Sequence, residues 1–198
     1  MSKKTIAVDI DDVLAINVPA FIEFSNQRWK TNLTIEDFTE DWRTMWEVDT
    51  ETLAARVKEL DDQKLVAGFE HFKDATETLA ALKRKFKLVI TTSRRRVLIP
   101  QTTDWINNYF PDLFEEIHHA GIWDKLEKQA YQATKAELCR QIGADYLIDD
   151  HPKHCFAAAE AGIPSLLFGE YPWNKGSKLP DGVSRVKNWQ EVGEYFCV

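Results

Sequence analysis

Residues 5–12 read TIAVDIDD, a short apolar and β-branched run that ends in acidic side chains. A run of this kind predicts a buried strand of a parallel sheet. Asp9 and Asp11 are two positions apart, so their side chains point the same way in an extended chain. The sequence therefore predicts a buried strand whose carboxyl end carries two carboxylates.

Further along the chain, segments of similar character alternate with helix-forming stretches. The other predicted strands are 86–92 (FKLVITT), 145–149 (DYLID), 164–168 (PSLLF) and an edge strand at 183–186 (VSRV). The predicted helices are 77–85, 130–142, 152–162 and 188–196. This alternation favours an α/β fold with a Rossmann-like core around a central parallel sheet. Ligands bind beyond the carboxyl ends of such strands, where the chain places Asp9, Asp11, Thr92, Ser93, Asp149 and Asp150.

Residues 15–82 separate the first two predicted strands and are far more chain than a simple crossover needs. The stretch is rich in helix formers and contains the aromatic residues Phe21, Trp29, Trp42 and Trp46. Because it directly follows the Asp9 loop, we predict that 15–82 is a small helical cap over the mouth of the sheet. Residues 1–14 and 83–198 would then form the α/β core. The alternative is an extension with a purely structural role.

Composition limits the classes of partner. The 198 residues carry a formal net charge of −7, whereas proteins that bind nucleic acid polymers usually show a basic footprint. No apolar run reaches the roughly 18 residues that a membrane helix needs, and the start of the chain lacks the pattern of a signal peptide. The three cysteines lie far apart and suggest no disulfide framework. We therefore predict a cytoplasmic protein that binds neither membranes nor nucleic acid polymers, and we leave its oligomeric state open.

The predicted edge of the sheet contains the groups that phosphoryl transfer requires. A carboxylate at a strand end can attack phosphorus and form an aspartyl-phosphate. A magnesium ion would offset the charge repulsion, and it prefers oxygen ligands. A second acid can protonate the leaving oxygen and later activate water. Hydroxyl and ammonium groups, such as those of Thr92 or Ser93 and Lys135, would hold the remaining phosphoryl oxygens.

The order of these motifs resembles the haloacid dehalogenase superfamily of phosphatases. That superfamily has a strand followed by DxD, a strand followed by Thr or Ser, a lysine, and a strand followed by two acids. The resemblance covers essentially the whole chain and implies Asp9 as nucleophile and Asp11 as general acid and base. It also implies phosphoryl binding by Thr92 and Lys135. Magnesium would be held by the Asp9 carboxylate, the Asp11 backbone carbonyl and an acid of the pair Asp149 and Asp150.

Within the superfamily, VDIDDVLA, VITTSR and LIDD most resemble the 5′(3′)-deoxyribonucleotidases, the type C 5′-nucleotidases, and their bacterial relatives. The resemblance implies a small phosphorylated metabolite as partner, with a nucleoside monophosphate as the leading substrate class. Two positions depart from the family pattern. Asn17 stands where an aromatic residue helps to stack the base, and Asp12 stands where a glycine commonly follows DxD.

Several side chains near these motifs are candidates for substrate contact. Trp42 and Trp46 would share one face of a helix and offer a stacking surface, or they pack the cap against the core. Arg94 would meet a phosphate or a substrate carboxylate, or it belongs to a solvated basic turn. Asn17 is kept as a candidate because of its position after DxD.

Alternatives remain open at this point. Lys125 and Lys128 compete with Lys135, and His151, His154 and Cys155 loosely resemble a transition-metal cluster without the spacing of a closed zinc site. The substrate is alternatively a sugar phosphate or another small metabolite. A further possibility is a non-catalytic module that binds phosphate and regulates a partner.

Overall fold

A computed structural model describes residues 3–124 and 133–198 of the chain. Across these residues the strands form one six-stranded sheet in which every pairing is parallel. The spatial order is β3-β2-β1-β4-β5-β6. The strands are β1 (Thr5–Val8), β2 (Lys87–Thr92), β3 (Glu116–His119), β4 (Tyr146–Asp149), β5 (Ser165–Phe168) and β6 (Val183–Val186). The predicted α/β fold class is confirmed.

The register at the centre of the sheet brings the candidate residues to one edge. Val8 of β1 pairs with Ile90 of β2 and with Ile148 of β4. The chain segments that leave these three strands therefore start side by side. This arrangement places the acidic stretch after β1 between the Thr92 end of β2 and the Asp149 end of β4.

Helices cover both faces of the sheet. They are α1 (Asn17–Trp29), α2 (Trp42–Met45), α3 (Thr50–Asp62), α4 (Ala75–Lys85), α5 (Ile99–Tyr109), α6 (Ala136–Gln141), α7 (Pro152–Glu160) and α8 (Trp189–Phe196). Side chains alternate along β1, so Ile6 and Val8 pack in one cluster with residues of α4, α5 and α8. Ala7 packs on the opposite face with residues of α6 and α7. The sheet is thus buried on both sides, which explains why its strands are apolar throughout.

Between β1 and α4, the helices α1, α2 and α3 share a separate apolar cluster. Its buried members are Val18, Phe21, Ile22, Met45, Trp46, Leu53, Val57 and Leu60. The predicted division of the chain at 15–82 stays a prediction. Leu79 and Leu82 of α4 pack with the sheet, so this helix lies with the core although most of it falls within the predicted cap range. None of the described helices is long and apolar enough to cross a membrane.

The sequence prediction missed β3 and α5. β3 reads EIHH and lies at an edge of the sheet, where polar side chains are tolerated and the apolar signal is lost. The predicted helix 130–142 corresponds to the shorter α6, and residues 125–132 lie outside the described part of the chain. The alternative candidates Lys125 and Lys128 lie there as well.

Candidate active site

Three buried carboxylates meet at the carboxyl edge of the sheet. Asp9, Asp149 and Asp150 each offer an oxygen, and these oxygens lie within 4.8 Å of one another. Lys135 at the start of α6 is buried beside them. Its Nζ lies 2.7 Å from Asp9 Oδ1 and 2.8 Å from Asp149 Oδ2. The structure therefore brings together four residues that the sequence predicted from three separate motifs.

The charge of this cluster is unbalanced. Burial raises the pKa of Asp9 to about 7, although the ammonium of Lys135 acts in the opposite direction. Burial also raises the pKa of Asp150, and the neighbouring carboxylates of Asp149 and Asp9 raise it further. Burial alone would lower the pKa of Lys135, but the carboxylates of Asp149 and Asp9 outweigh this effect and raise it. One ammonium among three carboxylates, all of them oxygen donors, suits an additional magnesium ion.

Asp11 lies on the same loop but has a different partner. Its carboxylate accepts hydrogen bonds from Arg94, with Nη2 at 2.7 Å from Oδ1 and Nε at 3.0 Å from Oδ2. The Arg94 side chain is only 4% exposed, whereas that of Asp11 is 28% exposed. The guanidinium also lies near the rings of Phe69 and Trp105, at 5.7 and 5.9 Å from their centroids. The Arg94 side chain is thus a buried component of the site and does not belong to a solvated turn.

The two hydroxyl candidates at the end of β2 differ in position. Thr92 is buried, and its Oγ1 accepts a hydrogen bond from the Arg94 backbone amide at 3.1 Å. Ser93 lines the cavity in front of the carboxylates. Its Oγ lies 3.5 Å from Nε2 of His154. The structure therefore places Ser93, rather than Thr92, in the cavity wall.

His154 is a buried neighbour of these groups. Its Nδ1 accepts a hydrogen bond from the Lys135 backbone amide at 3.3 Å. Burial lowers the pKa of His154 well below its ordinary value, and the nearby ammonium groups of Lys135 and Lys153 add to this effect. A neutral ring that accepts at Nδ1 carries its proton on Nε2, facing Ser93. Its surroundings are not those of a transition-metal site, since no group of three or more candidate ligands in the described chain includes it.

A cavity of about 190 Å³ opens in front of the cluster. Asp9, Asp11 and Asp150 line its polar end. The rest of the wall is mainly apolar and comes largely from the region between β1 and α4, with Phe21, Leu53, Val57, Leu60, Val66 and Phe69. Aromatic residues complete the wall at Phe38, Trp42, Trp123 and Trp173. The cavity therefore joins a group of carboxylates to a space that suits a flat, apolar moiety.

A profile of the family described as "5' nucleotidase, deoxy (Pyrimidine), cytosolic type C protein" matches residues 3–198 of the chain. The chain belongs to this family. As a type C nucleotidase family member, it is a hydrolase of the haloacid dehalogenase superfamily.

Related proteins agree with this assignment. "Putative nucleotidase YqfW" of Bacillus subtilis (strain 168) is 25% identical over 201 residues, which cover 96% of this chain and 92% of that protein. Two solved structures show the same fold. The haloacid dehalogenase-like family protein SP0104 from Streptococcus pneumoniae has a TM-score of 0.72 at 16% identity and 98% coverage of both chains. The haloacid dehalogenase hydrolase YfnB from Bacillus subtilis, described as bound to magnesium, has a TM-score of 0.66 at 12% identity and full coverage of both chains.

The candidate substrate contacts of this type C family member fall in different places. Asn17, Trp42 and Arg94 line the cavity. Trp46 is buried and stacks on Phe21, with ring centroids 5.5 Å apart. It is not among the residues that line the cavity, which favours the packing alternative for Trp46 over substrate stacking. The four-residue spacing of Trp42 and Trp46 could not reveal this difference. The helix α2 ends at Met45, and the Trp46 side chain packs in the apolar cluster that includes residues of α1.

The structure explains why an aspartate, Asp12, can stand where the family commonly has glycine. Its φ of 55° is in the left-handed region, which glycine prefers but aspartate tolerates better than most residues. Its buried carboxylate accepts hydrogen bonds from the backbone amides of Asn17 and Val18 at the start of α1. Asp12 thus supplies both the turn and the cap of the first helix after the strand. The side chain could have been suggested from the sequence as a helix cap, but its backbone conformation could not.

The loop after β5 was the largest omission from the predicted site. Trp173 Nε1 donates a hydrogen bond to Asp150 Oδ2 at 2.7 Å, and Asn174 Nδ2 donates to the Asp150 carbonyl at 2.9 Å. Tyr171 donates its hydroxyl proton to the Asp12 carbonyl at 2.7 Å. The sequence YPWN within a loop gave no periodic signal, and only the paired Tyr and Trp side chains hint at a buried role.

Proposed function

We propose that the chain is a magnesium-dependent phosphomonoester hydrolase that acts on nucleoside monophosphates through an aspartyl-phosphate on Asp9. The main observation that supports this proposal is the buried Asp9 carboxylate, which lines the cavity and lies 2.7 Å from the Lys135 ammonium. Membership of the type C nucleotidase family supports the choice of reaction. The family description as cytosolic supports a cytoplasmic location, which we propose as well.

In this proposal the carboxylates divide the chemistry. Asp9 attacks phosphorus, and Asp11 gives a proton to the leaving oxygen. Asp11 then takes a proton from the water that attacks the aspartyl-phosphate, which releases phosphate and restores Asp9. Lys135 and the hydroxyl of Ser93, with Thr92 behind it, hold the phosphoryl oxygens. A magnesium ion held by Asp9, the Asp11 carbonyl oxygen and an acid of the pair Asp149 and Asp150 would neutralise developing charge.

The environment of Asp9 favours its role as nucleophile. A carboxylate must be ionised to attack, and burial opposes ionisation, as the raised pKa of Asp9 near 7 indicates. The Lys135 ammonium lies against both Asp9 and Asp149 and therefore favours the ionised state. A bound cation would add to this effect.

The cavity wall supports a nucleotide rather than a sugar phosphate. A nucleobase presents flat faces that aromatic and aliphatic side chains can cover. Trp42 and Phe38 offer such surfaces, and residues 15–82 supply most of the apolar wall. A polyhydroxylated leaving group would instead need hydrogen-bonding partners throughout. We therefore propose that the predicted cap 15–82 selects the substrate.

The test is a phosphate-release assay on a panel of ribo- and deoxyribonucleoside monophosphates and sugar phosphates, with and without magnesium. We expect turnover of nucleoside monophosphates that requires magnesium and is abolished in Asp9→Asn. Preferential turnover of sugar phosphates would overturn the substrate class. No turnover of any phosphomonoester with any divalent metal ion would overturn the enzymatic proposal and favour a binding module.

A further inference from the structure

One indole joins the carboxylate cluster to the cap. Trp173 Nε1 donates to Asp150 Oδ2 at 2.7 Å. The same side chain contacts Phe38 edge-on, with ring centroids 5.1 Å apart. Trp173 and Phe38 both line the cavity. A single side chain of the core therefore touches a candidate metal ligand and a ring of the cap.

We propose that Trp173 is a positioning residue, which orients the Asp150 carboxylate for magnesium and links that orientation to the cap. The inference rests on the proposed function only in that the cluster binds magnesium. It gives the loop 169–177 a role in magnesium binding, whereas the proposed reaction steps give this loop no role.

The loop is anchored well enough to fix the indole. Asn174 is fully buried, and its Nδ2 donates to the carbonyls of Asp150 and Phe168 at 2.9 and 2.8 Å. Its Oδ1 accepts from the Tyr171 amide at 3.0 Å and from Arg185 Nη1 at 3.1 Å. Hydrogen bonds on every side of one amide leave the backbone next to Trp173 little freedom.

A second contact fixes the plane of the ring. Tyr171 stacks on Trp173 with centroids 4.7 Å apart and an interplanar angle of 9°. The Tyr171 hydroxyl in turn donates to the Asp12 carbonyl. The indole is therefore held from one side by the loop that also carries Asp9 and Asp11.

The two acids after β4 differ in what their oxygens contact. Asp149 Oδ1 accepts from the His151 amide at 2.9 Å, and its Oδ2 lies against Lys135. In Asp150, Oδ2 accepts the hydrogen bond from the indole N–H, so Oδ1 is the oxygen available to a cation. Partners that hydrogen-bond to metal ligands typically contribute about 10- to 100-fold to metal affinity.

The test measures Mg²⁺ binding to the intact protein by isothermal titration calorimetry. Trp173→Phe keeps an aromatic ring against Tyr171 and Phe38 but removes the N–H donor. We expect its Kd for Mg²⁺ to rise about 10-fold or more, and Trp173→Ala to show at least the same loss. Trp29→Phe is the matched control, because Trp29 Nε1 donates to the Glu59 carboxylate within the cap at 3.0 Å. The control should bind Mg²⁺ as the wild type does.

The outcomes separate this inference from the proposed function. Unchanged Mg²⁺ affinity in Trp173→Phe would overturn the inference and leave the hydrolase proposal standing. No Mg²⁺ binding by the wild type would overturn both. Phe38→Ala tests the link to the cap and also serves if Trp173→Phe does not fold by circular dichroism. We expect weaker Mg²⁺ binding in Phe38→Ala, and wild-type affinity there would contradict the link.

Discussion

At the scale of single residues, the three consecutive arginines after β2 have three different environments. Arg94 is buried against Asp11, Arg95 pairs with Asp61 of α3, and Arg96 is exposed and pairs with Asp124. The sequence marked Arg94 only by its distance from Thr92. It could not show the burial, which depends on Phe69 and Trp105, two rings contributed by distant segments.

This difference predicts unequal effects of substitution. Arg94→Gln removes the guanidinium that holds Asp11, so we expect kcat/KM for a nucleoside monophosphate to fall about 10²- to 10³-fold, as for the loss of a preorganised donor. Arg96→Gln should leave kcat/KM within about twofold of the wild type, because effects at exposed pairs are small. Steady-state kinetics with circular dichroism as a folding check decide this. Equal losses in both variants would show that Arg94 has no special role.

His154 predicts a dependence of stability on pH. Its pKa is lowered in the folded protein by burial, so the folded state binds a proton at this ring less readily than the unfolded state. The resulting stability is present above the unfolded pKa of about 6.5 and is lost as the pH falls below it. Each pH unit below that value costs up to about 1.4 kcal/mol.

The variant His154→Gln isolates this effect, since glutamine cannot take up the proton but can still accept from the Lys135 amide. We expect the free energy of unfolding of the wild type to decline more steeply than that of the variant between pH 6.5 and pH 5. Urea denaturation at several pH values measures both slopes. Parallel curves would mean that His154 ionises alike in the folded and unfolded chains.

At the scale of elements, ion pairs connect the predicted cap with the core. In each of them the acid lies in the predicted cap and the base lies in the core. The acids Glu36, Glu40 and Asp61 lie within 15–82, and their partners Lys175, Lys153 and Arg95 lie in the core. Each pair crosses the boundary that the sequence predicts. Electrostatic attraction therefore holds the two parts together over the cavity and weakens as salt screens it.

Neutralising these acids should loosen the cap. In the double variant Glu40→Gln, Asp61→Asn, we expect KM for a nucleoside monophosphate to rise about 3- to 10-fold, since each of these partly buried pairs contributes at least the roughly 0.2–1 kcal/mol of an exposed pair. The dependence of KM on salt should also become weaker than in the wild type. Glu137→Gln is the control, because Glu137 pairs with Arg140 of the same helix α6. A wild-type salt dependence in the double variant would exclude these pairs as determinants of closure.

At the scale of the whole molecule, the parts that could be predicted from the sequence are those with a periodic or ordered signal. The central strands were found because both of their faces are buried, and the carboxylates were found because they follow those strands. β3 was missed because an edge strand needs no apolar run, and Trp173 was missed because loops have no period. Trp46 was kept beside Trp42 as a candidate for substrate stacking, because spacing along a helix says which residues are neighbours and not which of them faces a cavity.

The buried charges of the site also affect the stability of the whole fold. Asp9, Asp12, Asp149 and Asp150 are all buried, and Lys135 is the buried ammonium among them. Burial raises the pKa of Asp150, which indicates that its ionised form is disfavoured in the protein without a bound cation. Sites of this kind are retained for function at a cost in stability.

Removing one of these charges should therefore stabilise the metal-free protein and weaken its response to metal. In Asp150→Asn the amide oxygen can still accept from Trp173, so we expect metal-free unfolding at pH 7.5 to require about 1 kcal/mol more, or a Tm about 2–4 °C higher. Added Mg²⁺ should raise the Tm of the wild type by mass action and that of the variant by much less. Differential scanning calorimetry with EDTA and with Mg²⁺ measures both effects, and Asp104→Asn on the exposed face of α5 controls for a change in net charge. A metal-free variant less stable than the wild type would contradict the view that the carboxylate cluster opposes folding until a cation neutralises it.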